Sequence, residues 1–191
     1  MTNISPAFKH GSGDGGVTGL QRGVVDSKSS PVAKAFNAME EWVLSLVRAN
    51  EHLLFFIHLD HTTLAQQIFD YLQDNAYVLG AVIYNGNENT YRFDPALLTT
   101  LDEECKHLDV GHNFITPSIN HATLDELRIN TRKLESRLVE IFPETYEVEV
   151  TLSIINRFST YVYYLENELR SHSEVQTNDW SMVKRPVWKS N

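Results

Sequence analysis

Apolar residues recur at steps of three and four through most of the chain between residues 31 and 171. That period restricts the fold to amphipathic helices packed on one another. Phe36, Met39, Val43 and Val47 mark a first helix over about 33–49. Ser30-Pro31 supplies its start, a capping hydroxyl followed by a proline whose missing N–H costs nothing at that position. Asp60 is placed to cap a second helix with Leu64, Ile68 and Leu72 on its buried stripe. Asp94-Pro95 opens a third, carrying Leu98, Leu101, Cys105 and Leu108. Thr123-Leu124-Asp125-Glu126 reads as a capping box for a fourth. The stripe of that helix is Leu124, Leu127, Leu134, Leu138 and Ile141, with Thr131 in its one polar slot. Beyond Pro143, the residues Leu152, Ile155, Phe158, Val162, Leu165 and Leu169 predict the longest helix of the chain.

Three stretches depart from this period. Leu53 to Ile57 is apolar on every side and fits buried helix or strand equally. Residues 77–93 hold two β-prone runs around Asn85-Gly86-Asn87, which predicts a hairpin. Six glycines between Gly11 and Gly23, with few large apolar neighbours, predict a flexible arm. The expected fold is therefore all-α. It is an antiparallel four-helix bundle with a small β patch at one end, a flexible arm over 1–30, a helical domain over 31–175 and an extended tail over 176–191.

Composition narrows the function. A chain of 191 residues with 42% hydrophobic content is long enough for one domain with its own core. The longest apolar run is far too short to span a membrane, and the N-terminus does not read as a leader. Cys105 is alone, which excludes an intramolecular disulfide and any multi-cysteine zinc site. With 16 basic and 25 acidic residues the net charge is -9, which excludes binding of nucleic acid through a bulk positive field.

No nucleophile elbow, phosphate loop or dinucleotide fingerprint occurs, so no catalytic residue is assigned and an enzyme is not expected. The glycine-rich stretch follows no strand and precedes no helix directly, which makes it a weak phosphate cradle. His58 and His61, with Cys105, His107, Glu103 and Glu104, lack a second pair at matching spacing, so no metal is assigned. The polar loop from Val110 to His121 is the better binding candidate. It presents His112, Asn113, Ser118, Asn120 and His121 between two helices.

The order of motifs resembles one family. Tyr91-Arg92-Phe93, a helix ending in Leu108-Asp109, a polar loop and Ala122-Thr123-Leu124-Asp125-Glu126-Leu127-Arg128 form one block. Ser153-Ile154-Ile155-Asn156 and a Val187-Trp188-Lys189-Ser190 tail follow. Over about residues 36 to 190 this resembles the coat proteins of rod-shaped plant viruses of the tobacco mosaic virus type. The resemblance implies a structural protein that polymerises into a helical rod around single-stranded RNA without reading its sequence. Its implied RNA contacts are Asp109, His112, Asn113, Asn120, Arg128, Arg132 and Lys133. Phe158, Tyr161 and Tyr164 would join neighbouring subunits, and Asp125 would act as a carboxylate switch. The implied partners are further copies of the chain and viral RNA, with no cofactor, small-molecule substrate or membrane. The implied location is the virion, and the host cytoplasm during assembly. The competing reading is a cytosolic helical adaptor that binds a protein partner.

Overall fold

The structure, a computed structural model, describes residues 14–19, 25–56, 59–85, 91–108, 121–142 and 149–172. Asp109, His112, Asn113, Asn120 and the 176–191 tail lie outside these residues. Among the described residues there are six α-helices and one two-stranded sheet. The helices are α1 (Pro31–Leu53), α2 (Asp60–Asp74), α3 (Ala76–Asn85), α4 (Ala96–His107), α5 (Ala122–Ile141) and α6 (Glu149–His172). The strands are β1 (Val17–Gly19) and β2 (Val25–Ser27). The chain is mostly helical, as its apolar period requires.

Local chemistry starts α1 as expected: Ser30 Oγ accepts from the Ala33 N–H at 3.1 Å, and Pro31 fills the first turn. The fourth predicted helix, α5, starts two residues earlier than its capping box implies, with His121 at the cap and no side-chain cap bond. Glu126, the residue that would close the box, instead meets Arg48 of α1 at 3.1 Å. Asp94 likewise sits one residue outside the helix cap, its Oδ1 accepting from the Ala96 N–H at 2.9 Å.

Cross-helix pairs give the directions. Trp42 meets Thr131 and Arg48 meets Glu126, so α1 and α5 run antiparallel. Glu135 meets Asn156 while Asp125 meets Arg170, so α5 and α6 also run antiparallel. In contrast, Leu98 lines a surface groove with Leu152 and Ser153, and Asp102 pairs with Arg157. The helices α4 and α6 therefore run parallel, a pairing that an all-antiparallel arrangement does not contain.

The core gathers Trp42 of α1, Phe69 of α2, Leu134 and Leu138 of α5, and Phe158, Tyr161 and Val162 of α6. Phe158 stands edge-on to both Trp42 and Phe69, with ring centroids 6.2 and 5.5 Å apart. This is the favoured quadrupole geometry for aromatic pairs. Trp42 Nε1 donates to Thr131 Oγ1 at 3.0 Å, and Thr131 Oγ1 donates to the Leu127 carbonyl at 2.7 Å. The polar slot in the α5 stripe thus satisfies the one polar atom of the largest core side chain.

Two expectations are corrected here. The run at 77–85 is helix α3, not a strand, because Val78, Leu79, Val82 and Ile83 are all buried and α3 packs on α1. Apolar on all faces, it carries no period that separates strand from helix. The β patch lies instead at β1 and β2, inside the segment read as an arm. The strands pair antiparallel with Thr18 opposite Asp26. Gly16 enters β1 at φ 77°, a backbone conformation that a side chain would strain.

Candidate functional site

Among the described residues, two concave surfaces place cationic side chains beside hydroxyl or amide groups outside any helix–helix ion pair. The larger, ≈ 560 Å³, lies between α5 and α6 and is lined by Arg128, Arg132, Glu135, Asn156, Ser159, Thr160, Tyr163 and Tyr164. Arg128 and Arg132 are four residues apart, so one helix face presents both guanidinium groups. Arg132 is exposed and makes no ion pair among the described residues. Arg128 is mostly covered, with its guanidinium carbon 5.8 Å from the Tyr163 ring centroid. Across the groove Asn156 Nδ2 donates to Glu135 Oε1 at 2.6 Å, and Ser159 and Thr160 add hydroxyls. Two forked cations beside hydroxyl and amide groups suit the oxygens of a phosphate chain.

The smaller, ≈ 320 Å³, is formed by the hairpin and the start of α1, with Thr18, Gly19, Lys28, Ala33, Phe36, Asn37 and Glu40 around it. Lys28 stands just before the Ser30 cap, and its N–H donates to the Gly16 carbonyl at 3.0 Å, closing the hairpin. A lysine beside a helix start is suited to an anion. The two concavities share no lining residue.

Behind Arg128 lies a buried ion network. Asp125 Oδ1 accepts from Arg128 Nη2 at 3.4 Å, and its Oδ2 accepts from Arg170 Nη2 at 3.3 Å. Arg170 Nε also donates to Glu166 Oε1 at 3.0 Å, and Glu166 is wholly buried. Burial raises the Glu166 carboxyl to about 7, against the opposing hydrogen bond from Arg170 and with a further upward push from Asp125. His121, also buried, is lowered to about 4 by burial first and then by the charges of Arg170 and His52, with Asp125 opposing. His52 is lowered by burial as well. The rings of Phe56 and His121 stack, with centroids 5.8 Å apart.

The residues singled out from the sequence are therefore distributed unevenly. Arg128 and Arg132 come together in one groove. Lys133 does not join them, since it turns to Glu41 of α1. Phe158 and Tyr161 are wholly buried inside this chain, so they fill its own core rather than a neighbour's surface, while Tyr164 lines the groove. Asp125 is tied to two arginines of its own chain and is 4% exposed, so it does not face a carboxylate on another subunit. Lys28, Asn156, Ser159, Glu166 and Arg170 were not foreseen. Glu166 and Arg170 had a signal in the sequence, an acid and a base four residues apart on an otherwise apolar stripe.

A family model described as cobalamin adenosyltransferase matches residues 9–169, from before the hairpin through most of α6. The chain belongs to the cobalamin adenosyltransferase family. Solved structures agree on the fold. Two variants of a PduO-type ATP:corrinoid adenosyltransferase from Lactobacillus reuteri, each complexed with cobalamin and ATP, superpose with TM-scores of 0.71 and 0.72. Their identities are 16% and 17%, covering 90% and 92% of this chain and 98% and 97% of theirs. A third variant of the same enzyme, complexed with ATP, gives 0.71 at 17% identity over 91% of this chain and 99% of that one. No curated protein sequence matches the chain.

Family membership overturns the coat-protein reading and what followed from it. The motif blocks that suggested a coat protein are short helix starts and stripes, which any helical protein repeats, whereas the family match runs through 9–169 as one. The expectations of a non-enzyme, of viral RNA as partner, of no small-molecule substrate and of a virion location fall with it. The adaptor alternative has no support either.

Proposed function

We propose that this family member is an ATP:corrinoid adenosyltransferase, moving the adenosyl group of ATP to a reduced corrinoid. The observation that carries the reading is the pair Arg128 and Arg132 on one face of the α5/α6 groove, within the span of the family match. Adenosyl transfer breaks the bond between C5′ and the triphosphate, which departs with its negative charges. The contribution of this chain is to hold those charges and keep C5′ aligned with its acceptor. Arg132, exposed and without an ion pair among the described residues, is the group most available to the triphosphate, with Arg128, Asn156, Ser159 and Thr160 completing a donor wall. Lys28 and the hairpin offer a second anion contact. In this reading α1, α2, α5 and α6 act as an antiparallel four-helix bundle that holds the groove, within a helical unit spanning 31–175.

The test is anaerobic turnover with ATP and chemically reduced cobalamin, read by the visible spectrum of the adenosylated product and by released triphosphate. Wild-type protein should form both in equal amounts. Arg132→Ala should lose about tenfold or more in apparent affinity for ATP, the scale of one charged hydrogen bond. Absence of both products with wild-type protein would refute the assignment.

A further inference from the structure

The groove arginine Arg128 does not stand alone. Behind it three ionisable side chains, Asp125, Glu166 and Arg170, are almost entirely removed from water. Such a network is costly to desolvate, and well-packed apolar side chains at the same places commonly do as well or better for stability. The connectivity indicates a benefit other than stability. Asp125 divides its carboxylate, one oxygen to Arg128 and the other to Arg170. Arg170 is fixed in turn by Glu166, one turn before it on α6, through its Nε. The Arg128 guanidinium is thereby held from the Asp125 side while its carbon stands 5.8 Å from the Tyr163 ring centroid. Its Nε makes no hydrogen bond among the described residues.

We propose that Asp125, Arg170 and Glu166 are positioning residues that hold the Arg128 guanidinium toward a polyphosphate in the α5/α6 groove. None of the three lines the groove except through Arg128. The chain of contacts is Glu166 to Arg170, Arg170 to Asp125, and Asp125 to Arg128. Pre-setting a long, flexible arginine removes side-chain entropy that binding would otherwise cost. The inference rests on the proposed function only in taking the groove ligand to be the triphosphate of ATP.

Calorimetric binding of ATP and of inorganic tripolyphosphate to the full chain tests it, alongside thermal unfolding of each protein. Asp125→Asn keeps the shape but weakens the hold on both arginines. It should bind both ligands about tenfold more weakly. Asp125→Glu restores the charge and should recover part of the loss, which a merely structural role does not predict. Glu166→Gln should weaken binding in the same direction by less, because it acts one link further away. If Asp125→Asn and Glu166→Gln are folded and bind ATP and tripolyphosphate as wild type does, the positioning role is wrong while the functional reading stands. Equal losses in Asp125→Asn and Asp125→Glu, tracking lost thermal stability, would also overturn it. A wild-type chain that binds neither ligand overturns both.

Discussion

Thr131 is the residue whose chemistry the core depends on most closely. It fills the one polar position of the α5 stripe, and its hydroxyl accepts the buried indole N–H of Trp42. Thr131→Val keeps the volume and removes the acceptor, leaving a donor without water or partner. We expect a loss of about 1–3 kcal/mol, seen as a lower urea midpoint with an unchanged slope. The sequence marked the position but not its partner, because Trp42 lies 89 residues away. Glu166 and His121 make a second pair of opposites. Between its ordinary 4.5 and about 7, folded Glu166 keeps a proton that the unfolded chain releases, so its contribution to stability is lost as pH rises through that window. Between 6.5 and about 4, folded His121 refuses a proton that the unfolded chain accepts, so its contribution is lost as pH falls. The two slopes oppose each other over most of the same interval. Glu166→Gln removes the first, so its melting temperature should climb more steeply from pH 4.5 to 6.5 than that of wild type. Parallel melting profiles would contradict the assignment.

At the scale of elements, legibility followed amphipathicity. The helices α1, α2, α5 and α6 each have one apolar stripe and a polar back, and each was placed within a few residues from the sequence. The missed element, α3, is buried so broadly that its apolar run has no face to betray its period, and its Val, Ile and Tyr residues favour strands when read alone. Packing against α1 overrides that preference. Gly80 records the contact: a Cβ built there would lie 3.7 Å from both Met39 Sδ and Phe36 Cε1, an ordinary van der Waals distance. Gly80→Ala should therefore fit and stabilise by about 0.5–1 kcal/mol through reduced backbone entropy of the unfolded chain. A measured destabilisation would mean that α3 sits closer to α1 than described. The hairpin was missed for the converse reason. Three-residue strands carry too little pattern to be seen, and glycines in a turn look like glycines in a linker.

For the whole molecule, the net charge of -9 excludes a broad positive field but not a local anion site, because a sum does not show where charges are neutralised. Lys133, Arg48, Arg157 and Arg170 are each engaged by acids within the fold. Arg132 remains available to the groove, and Arg128 reaches it from an internal pair. A small, local cationic site on an acidic protein suits a single polyphosphate better than a nucleic-acid strand, which needs neutralising charge along its length. The candidate site was thus half legible. Arg128 and Arg132 entered only through the coat-protein resemblance, as RNA contacts, whereas the donors on α6 and the network behind them depend on how α5 meets α6. That dependence has a consequence during synthesis. Trp42 leaves the ribosome 89 residues before its hydrogen-bond acceptor, and its aromatic partner Phe158 comes later still. Until the last third of the chain has emerged, the apolar stripe of α1 lacks the helix that contributes most to covering it. The nascent protein is therefore most exposed to aggregation and to chaperone capture late in its own translation, when it is already mostly made.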